Sequence, residues 1–427
     1  MNISRLKQQL TDPLYRNSLF LLASTAVTAG LGFFFWMVVA RYYTDYEVGV
    51  SAAIISTINL LSLISTLGMD VAIIRFLPKA KDPVKFINSC FTACGIVALL
   101  VTGIFLAGVD LWSPATSFVR EDGMFIFAFI LFTLFWPLSG IITAIFIARR
   151  RAEYVLIKET IFSAFKIPLP ILLALFFHTF GIVSSWGIAA GIALIISLFL
   201  FLPRVQKHYI PVPRINWEII RLIWKYSAGN YIAHIFTSAP SLLLPIIIVN
   251  LLSGEQNAYF YIALTMASLL FAIPAATSQS LFAEGSHFEE QLAVNARRAF
   301  KFILILMVPA IILMVASGKW LLLLFGESYS SNALSLLWLL AASSLFMVVT
   351  SIYFSILRVR GRIRELIALR AFAAITILVV SSLITKKLGI VGIGYVWLGV
   401  YGILSIYVLL TVRVRYRAII ARRNNKH

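Results

Sequence analysis

Residues 37–78 read MVVARYYTDYEVGVSAAIISTINLLSLISTLGMDVAIIRFLP, and this stretch decides the class of fold. An apolar segment ends at Ala40. A short polar turn follows, from Arg41 to Glu47, and then a second, largely apolar run from Val48 to Ile74 in which Asp70 is the only charged residue. A helix crosses the hydrocarbon core of a bilayer with ~20 apolar residues. A barrel strand would instead alternate apolar and polar positions over ~10 residues. The stretch therefore predicts two membrane-crossing helices joined by a tight, tyrosine-rich turn.

The same grammar extends in both directions. Apolar runs recur at 17–40, 48–74, 86–109, 123–147, 154–177 and 181–202, and again at 226–252, 257–283, 300–325, 333–357, 366–385 and 388–412. Twelve membrane-crossing helices are expected. The polar start, Met1 to Arg16, lacks a small-residue cleavage site, so the first run reads as a retained helix. Of the 427 residues 61% are hydrophobic and 12% charged, and the mean hydropathy is +0.94. Soluble domains are about 45–50% apolar and about 25% charged, so a water-soluble enzyme and a disordered chain are both excluded. Cys90 and Cys94 share one helix face within an apolar run and read as packing residues, with no disulfide framework.

Charge sets the orientation. The chain carries 36 Lys and Arg against 17 Asp and Glu, a net charge of +19. With the N-terminus inside, 30 of the 36 cations fall in the inner connections and tails and 5 in the outer loops, leaving Lys166 in mid-span. Basic residues collect on the cytoplasmic side, so this split supports an even number of spans with both termini inside. It also explains the basic composition without nucleic acid.

The longest polar break, 203–225, divides the chain into an N-terminal lobe (1–208) and a C-terminal lobe (209–427) of six helices each. Within 209–225, Arg214, Glu218, Arg221 and Lys225 recur at helical spacing opposite Ile215, Ile219, Leu222 and Ile223. That pattern predicts an amphipathic linker helix lying in the inner interface. The halves also echo each other. Gly181-Ile182-Val183 and Gly389-Ile390-Val391 stand 208 residues apart, as do Glu47 and Glu255. Six spans per half give both halves the same orientation, a parallel repeat about an axis along the membrane normal.

Residues 37–78, with the motif Ala40-Arg41-Tyr42-Tyr43 and Glu47-Val48-Gly49, resemble oligosaccharide flippases of the Wzx-type polysaccharide biosynthesis family. So do residues 259–285, YFYIALTMASLLFAIPAATSQSLFAEG. The resemblance runs from about residue 14 to 412. The family belongs to a superfamily that also holds multidrug and toxin extruders and lipid II flippases. The resemblance implies an all-α integral membrane fold like that of the extruders, with two six-helix lobes around a central cavity. It implies alternating access, and movement of polyprenyl-phosphate- or diphosphate-linked oligosaccharide from the cytoplasmic to the outer leaflet of the cell membrane for surface polysaccharide synthesis.

Charges at membrane depth are the candidate site, because a midplane charge costs ~2.5–3.5 kcal/mol on insertion scales. Lys166 is the clearest. It lies eight residues beyond Lys158, about 12 Å deeper along a helix, which is too far to snorkel. Glu159 is two turns away on the same face, so Lys166 is either a cavity cation or half of a buried Lys–Glu pair. Pro168 and Pro170 follow at once and free backbone carbonyls there. Arg41, at the outer end of the first span, is a candidate contact or an interfacial anchor beside Tyr42, Tyr43 and Tyr46. Arg16 and Asn17 open the first span and Asn230 opens the seventh, matching places for polar groups at a cavity floor. Asp70 and Arg75 read as a local salt bridge.

Neither the first nor the seventh span holds an Asp or Glu. A drug or cation antiporter on the same fold uses buried carboxylates, so the cationic excess favours an anionic cargo. A membrane glycosyltransferase or ligase is the other rival, with Asp45 and Glu47 as an acidic pair able to hold a metal. Its outer loop is too short for a catalytic platform. No phosphate-binding GxxxxGK[ST] motif occurs, so no ATP drive within the chain is expected, and no cofactor. The partners expected are the lipid bilayer and the lipid-linked cargo. The coupling ion, proton or sodium, stays open.

Overall fold

The computed structural model describes residues 13–287 and 289–424. Among them there is no strand. The main helices are α1 (Pro13–Tyr42), α2 (Asp45–Thr66), α3 (Met69–Phe76), α4 (Pro83–Ala107), α5 (Gly123–Ala148), α6 (Ala152–Lys166) and α7 (Leu169–Ile196). Then come α8 (Trp217–Leu251), α9 (Gly254–His287), α10 (Leu292–Leu323), α11 (Leu334–Val359) and α12 (Ile363–Asn424). Short helical turns fill several of the connections.

Among the described residues ten helices are long and apolar enough to cross a membrane. Two of the expected runs do not stand as separate helices of that kind. The run 154–177 is broken after Lys166, because Pro168 and Pro170 have no N–H to donate to the carbonyls of Ala164 and Lys166. The runs 366–385 and 388–412 are joined in α12, whose only non-helical backbone is at Gly389, with φ +59°. That conformation suits glycine, which has no Cβ to clash with the backbone. The amphipathic stretch also starts later than residue 209. Pro211 and Pro213 hold the chain extended, and the helix begins at Trp217, where the Asn216 side chain accepts from the N–H groups of Glu218 and Ile219. It then continues unbroken into the seventh run.

The exposed faces identify the solvent. The most apolar window of α10 is only 17% buried, and Phe302, Ile305, Ile312 and Leu313 project outward. Contiguous apolar surface of this extent does not survive in water, whereas lipid tails solvate it. The chain is a multi-pass membrane protein.

The chain forms two compact units. One comprises residues up to Ile235 together with Pro245–Ala258; the other comprises Phe236–Leu244 and the chain from Tyr259 onward. In the first unit, α1 packs along α6, and α5 packs against α2, α3, α4 and α7. Its core joins Met69, Ile73 and Leu77 to Ile87, Cys90 and Cys94, and to Ile141, Ile145 and Phe146. Both cysteines are fully buried thiols, filling space as small apolar groups do. α2 also meets the first turn of α9 at close range. A Cβ on Gly49 would stand 1.7 Å from the carbonyl oxygen of Gly254, so only glycine fits. The Asn257 amide completes the crossing by donating to the Gly49 carbonyl at 2.7 Å. In the second unit α12 packs along α11 and α11 along α10. Polar ties lock these helices together: Ser278 and Ser355 bridge α9 and α11, and Ser405 donates to the Phe346 carbonyl at 2.8 Å.

Candidate functional site

Beyond Glu153 in its first turn, the α6 helix carries three charges into the first unit: Lys158, Glu159 and Lys166. Lys166 is the last residue of that helix and is 5% exposed. The carbonyls of a final helical turn form the negative end of the helix dipole, which favours a cation there. The Nζ lies 4.6 Å from the Phe162 ring centre, one turn back on α6, and 5.4 Å from that of Phe35 on α1. Gly32 faces the ammonium, and a Cβ there would be 4.0 Å from Nζ. The absence of a side chain at Gly32 leaves room beside the charge. Behind Phe162 stands an aromatic wall, with Trp136 and Trp186 at 4.3 Å between ring centres and Phe162 at 5.6 Å from Trp136. Among the described residues no carboxylate and no hydrogen-bond acceptor lies within bonding reach of Lys166. It is a buried cation beside two π faces and a helix end, and the charge of Glu159 acts on it through space without a direct ion pair.

Glu159 does not pair with Lys166. Its Oε1 lies 3.0 Å from the Nζ of Lys158. The sequence counts Lys158 with the inner, solvated cations, whereas the structure buries it to 4% exposure. Its ammonium donates to Thr143 Oγ1 (2.6 Å), Ser139 Oγ (2.9 Å) and the Ser139 carbonyl (3.2 Å). A signal was present: Ser139 and Thr143 stand one helical turn apart on the preceding span, a hydroxyl pair spaced to receive one ammonium.

The other candidates lie elsewhere. Arg41 is exposed at the end of α1, six residues past Phe35 and so about 9 Å along the helix. Tyr42 and Tyr46 beside it are exposed, while Tyr43 is buried and its hydroxyl donates to the Pro170 carbonyl at 2.7 Å. Arg16 and Asn17 belong to the first turn of α1, about 22–24 Å along the helix from Gly32, and their side chains lie outside the described residues. Asn230 is exposed on α8. The structure thus places Lys166 and Glu159 on one helix and leaves Arg41 and Asn230 exposed on α1 and α8.

Two further expectations are corrected. Arg75 forms no ion pair with Asp70. Five residues apart on a helix, the two point about 140° from each other, and Arg75 Nη1 instead donates to the Tyr226 hydroxyl at 2.9 Å, its guanidinium 4.3 Å over that ring. The acidic pair Asp45 and Glu47 is also occupied locally. Glu47 Oε2 accepts from the Thr44 N–H and hydroxyl, both at 2.9 Å, as the third residue of a capping box, and Oε1 meets His178 Nδ1 at 3.0 Å. Among the described residues no His, Cys, Asp and Glu cluster is arranged to hold a metal.

Long apolar helices that carry a buried cation beside an aromatic wall define a multi-pass membrane protein. Among solved structures, the lipid II flippase MurJ in an inward closed conformation superposes with a TM-score of 0.75 at 13% identity, covering 92% of this chain and 87% of that one. An inward-facing multidrug resistance MATE family transporter of the MOP superfamily gives 0.64 at 16% identity, covering 95% and 96%. A MOP superfamily transporter from Pyrococcus furiosus, described as having a binding pocket of reverse polarity that suggests a different function, gives 0.64 at 14% identity, covering 95% and 96%. At these identities the likeness establishes the fold. No curated protein matches the sequence. The polysaccharide biosynthesis protein family matches residues 14–282, and the chain belongs to that family.

Proposed function

We propose that this protein is a flippase, not an enzyme, moving polyprenyl-phosphate- or diphosphate-linked oligosaccharide from the cytoplasmic to the outer leaflet of the cell membrane by alternating access. The carrying observation is Lys166: a buried cation in a family of polysaccharide biosynthesis proteins, with aromatic faces beside it and, among the described residues, no carboxylate in direct ion-pair contact. A buried, unpaired phosphate is costly, and a waiting cation offsets the cost. The rings of Trp136, Phe162 and Trp186, packed on one another, give that cation an apolar, π-rich surrounding. The Pyrococcus furiosus transporter, described as having a binding pocket of reverse polarity that suggests a different function, offers a parallel on the same fold.

Twelve crossings in two six-helix lobes, with both termini cytoplasmic, complete the proposal. Support for the parallel repeat comes from the crossing of α2 and α9. Gly49 and Asn257 are bonded and stand 208 apart, the repeat offset, and Gly254 packs against Tyr46 at the same offset. Equivalent residues touch where they lie beside a two-fold axis.

The test is a gene deletion with analysis of both leaflets. The surface glycan should vanish while its lipid-linked precursor is still made and collects on the inner leaflet. Absence of the precursor would assign the protein to an earlier, enzymatic step. A drug-susceptibility change with an intact glycan would favour the antiporter instead.

A further inference from the structure

α6 holds two lysines whose situations are opposite. An ammonium has three N–H donors. Those of Lys158 are all engaged within the protein, by the hydroxyls of Ser139 and Thr143 and by Glu159. None remains for a ligand, so Lys158 is no cargo contact. Seven residues return a helix to nearly the same face, so Glu159 and Lys166 share one side of α6, about 10.5 Å apart along the axis. A glutamate and a lysine side chain reaching toward each other span most of that separation. In the structure Glu159 instead meets Lys158, which two α5 hydroxyls anchor.

We propose that Lys158 is a positioning residue that holds Glu159 away from Lys166, so that Lys166 stays open to a phosphate group. This deepens the functional reading above and rests on Lys166 as the phosphate contact. Losing the Lys158 charge frees the Glu159 carboxylate in a setting of low dielectric, where Lys166 is the nearest counter-charge on its face. The two then neutralise each other, and an anionic headgroup meets a closed ion pair. Removing the carboxylate as well leaves Lys166 open again. That sign of coupling is peculiar to positioning: a lysine that merely fills space is not replaced by a change at Glu159.

The experiment uses the full chain in detergent micelles, with undecaprenyl diphosphate as probe and quenching of tryptophan fluorescence as readout. Lys158→Met should weaken binding about tenfold or more, and Lys158→Met with Glu159→Gln should return it to within about threefold of the native value. Should Lys158→Met fail to fold, Ser139→Ala with Thr143→Val loosens the same lysine, and Glu159→Gln should rescue that variant too. Equal defects with and without Glu159→Gln overturn the proposal, as does native binding by Lys158→Met. Lys166→Met separates the two levels. If it weakens binding but the Lys158 defect is not rescued, this inference alone fails. If Lys166→Met binds like the native chain, the functional reading falls and takes the inference with it.

Discussion

Replacing Lys166 by methionine separates a cargo contact from a structural cation. Methionine keeps the unbranched stem and removes the charge. A charge at membrane depth costs ~2.5–3.5 kcal/mol, and its removal recovers that amount. Against it stands the loss of the contacts with Phe35 and Phe162, at 5.4 and 4.6 Å, each worth about 1–2 kcal/mol when desolvated, and of a helix-end interaction of about 0.3–1 kcal/mol. The terms nearly cancel, so Lys166→Met should unfold within a few degrees of the native protein. Binding should change far more. A hydrogen bond to a charged group is worth about 1.5–3 kcal/mol, and each 1.4 kcal/mol is tenfold in affinity, so the loss is roughly 10- to 150-fold. Thermal unfolding in detergent and restoration of the surface glycan in a deletion strain give the two readings. Lys166→Arg should retain part of the activity, since it keeps the charge in a different shape. Lys166→Glu should retain none. A large drop in unfolding temperature, with glycan lost only in proportion to protein lost, would refute the reasoning, as would a normal glycan in Lys166→Met.

Further expectations follow from named contacts. The Lys166→Ala defect should persist in Glu159→Ala with Lys166→Ala, because Glu159 pairs with Lys158; normal transport by the double variant would make Lys166 a structural residue. Gly49→Ala should drive α2 and α9 apart, since its Cβ would stand 1.7 Å from the Gly254 oxygen; overpacking costs about 1–3 kcal/mol, and the Asn257 bond adds about 1, so thermal unfolding should come several degrees earlier. Thr44→Ala removes the cap of α2, and about 1 kcal/mol of stability with it, with no change in glycan export expected. Single cysteines at Glu121 and Ser253 should react with an impermeant thiol reagent from outside, and those at Lys81 and Arg360 only from inside; outside labelling at Arg360 would break the twelve-helix topology.

Much was legible in one dimension. Hydropathy is a local sum, so the membrane class and nearly every apolar run follow from residue order alone. The prolines at 168 and 170 and the glycine at 389 likewise carry their backbone consequences within themselves. Pairing is another matter, because it depends on which side chains of other helices arrive at the same point. Sequence spacing offered Glu159 to Lys166, but the face of α5 that carries Ser139 and Thr143 draws in Lys158, and Glu159 goes with it. Arg75 turned to Tyr226, 151 residues away, rather than to Asp70. Gly49 gave no sign in the chain that another helix would pass within reach of its missing Cβ. A membrane sequence records what each segment can be dissolved in, while the partners of its few charges are chosen only when the helices pack.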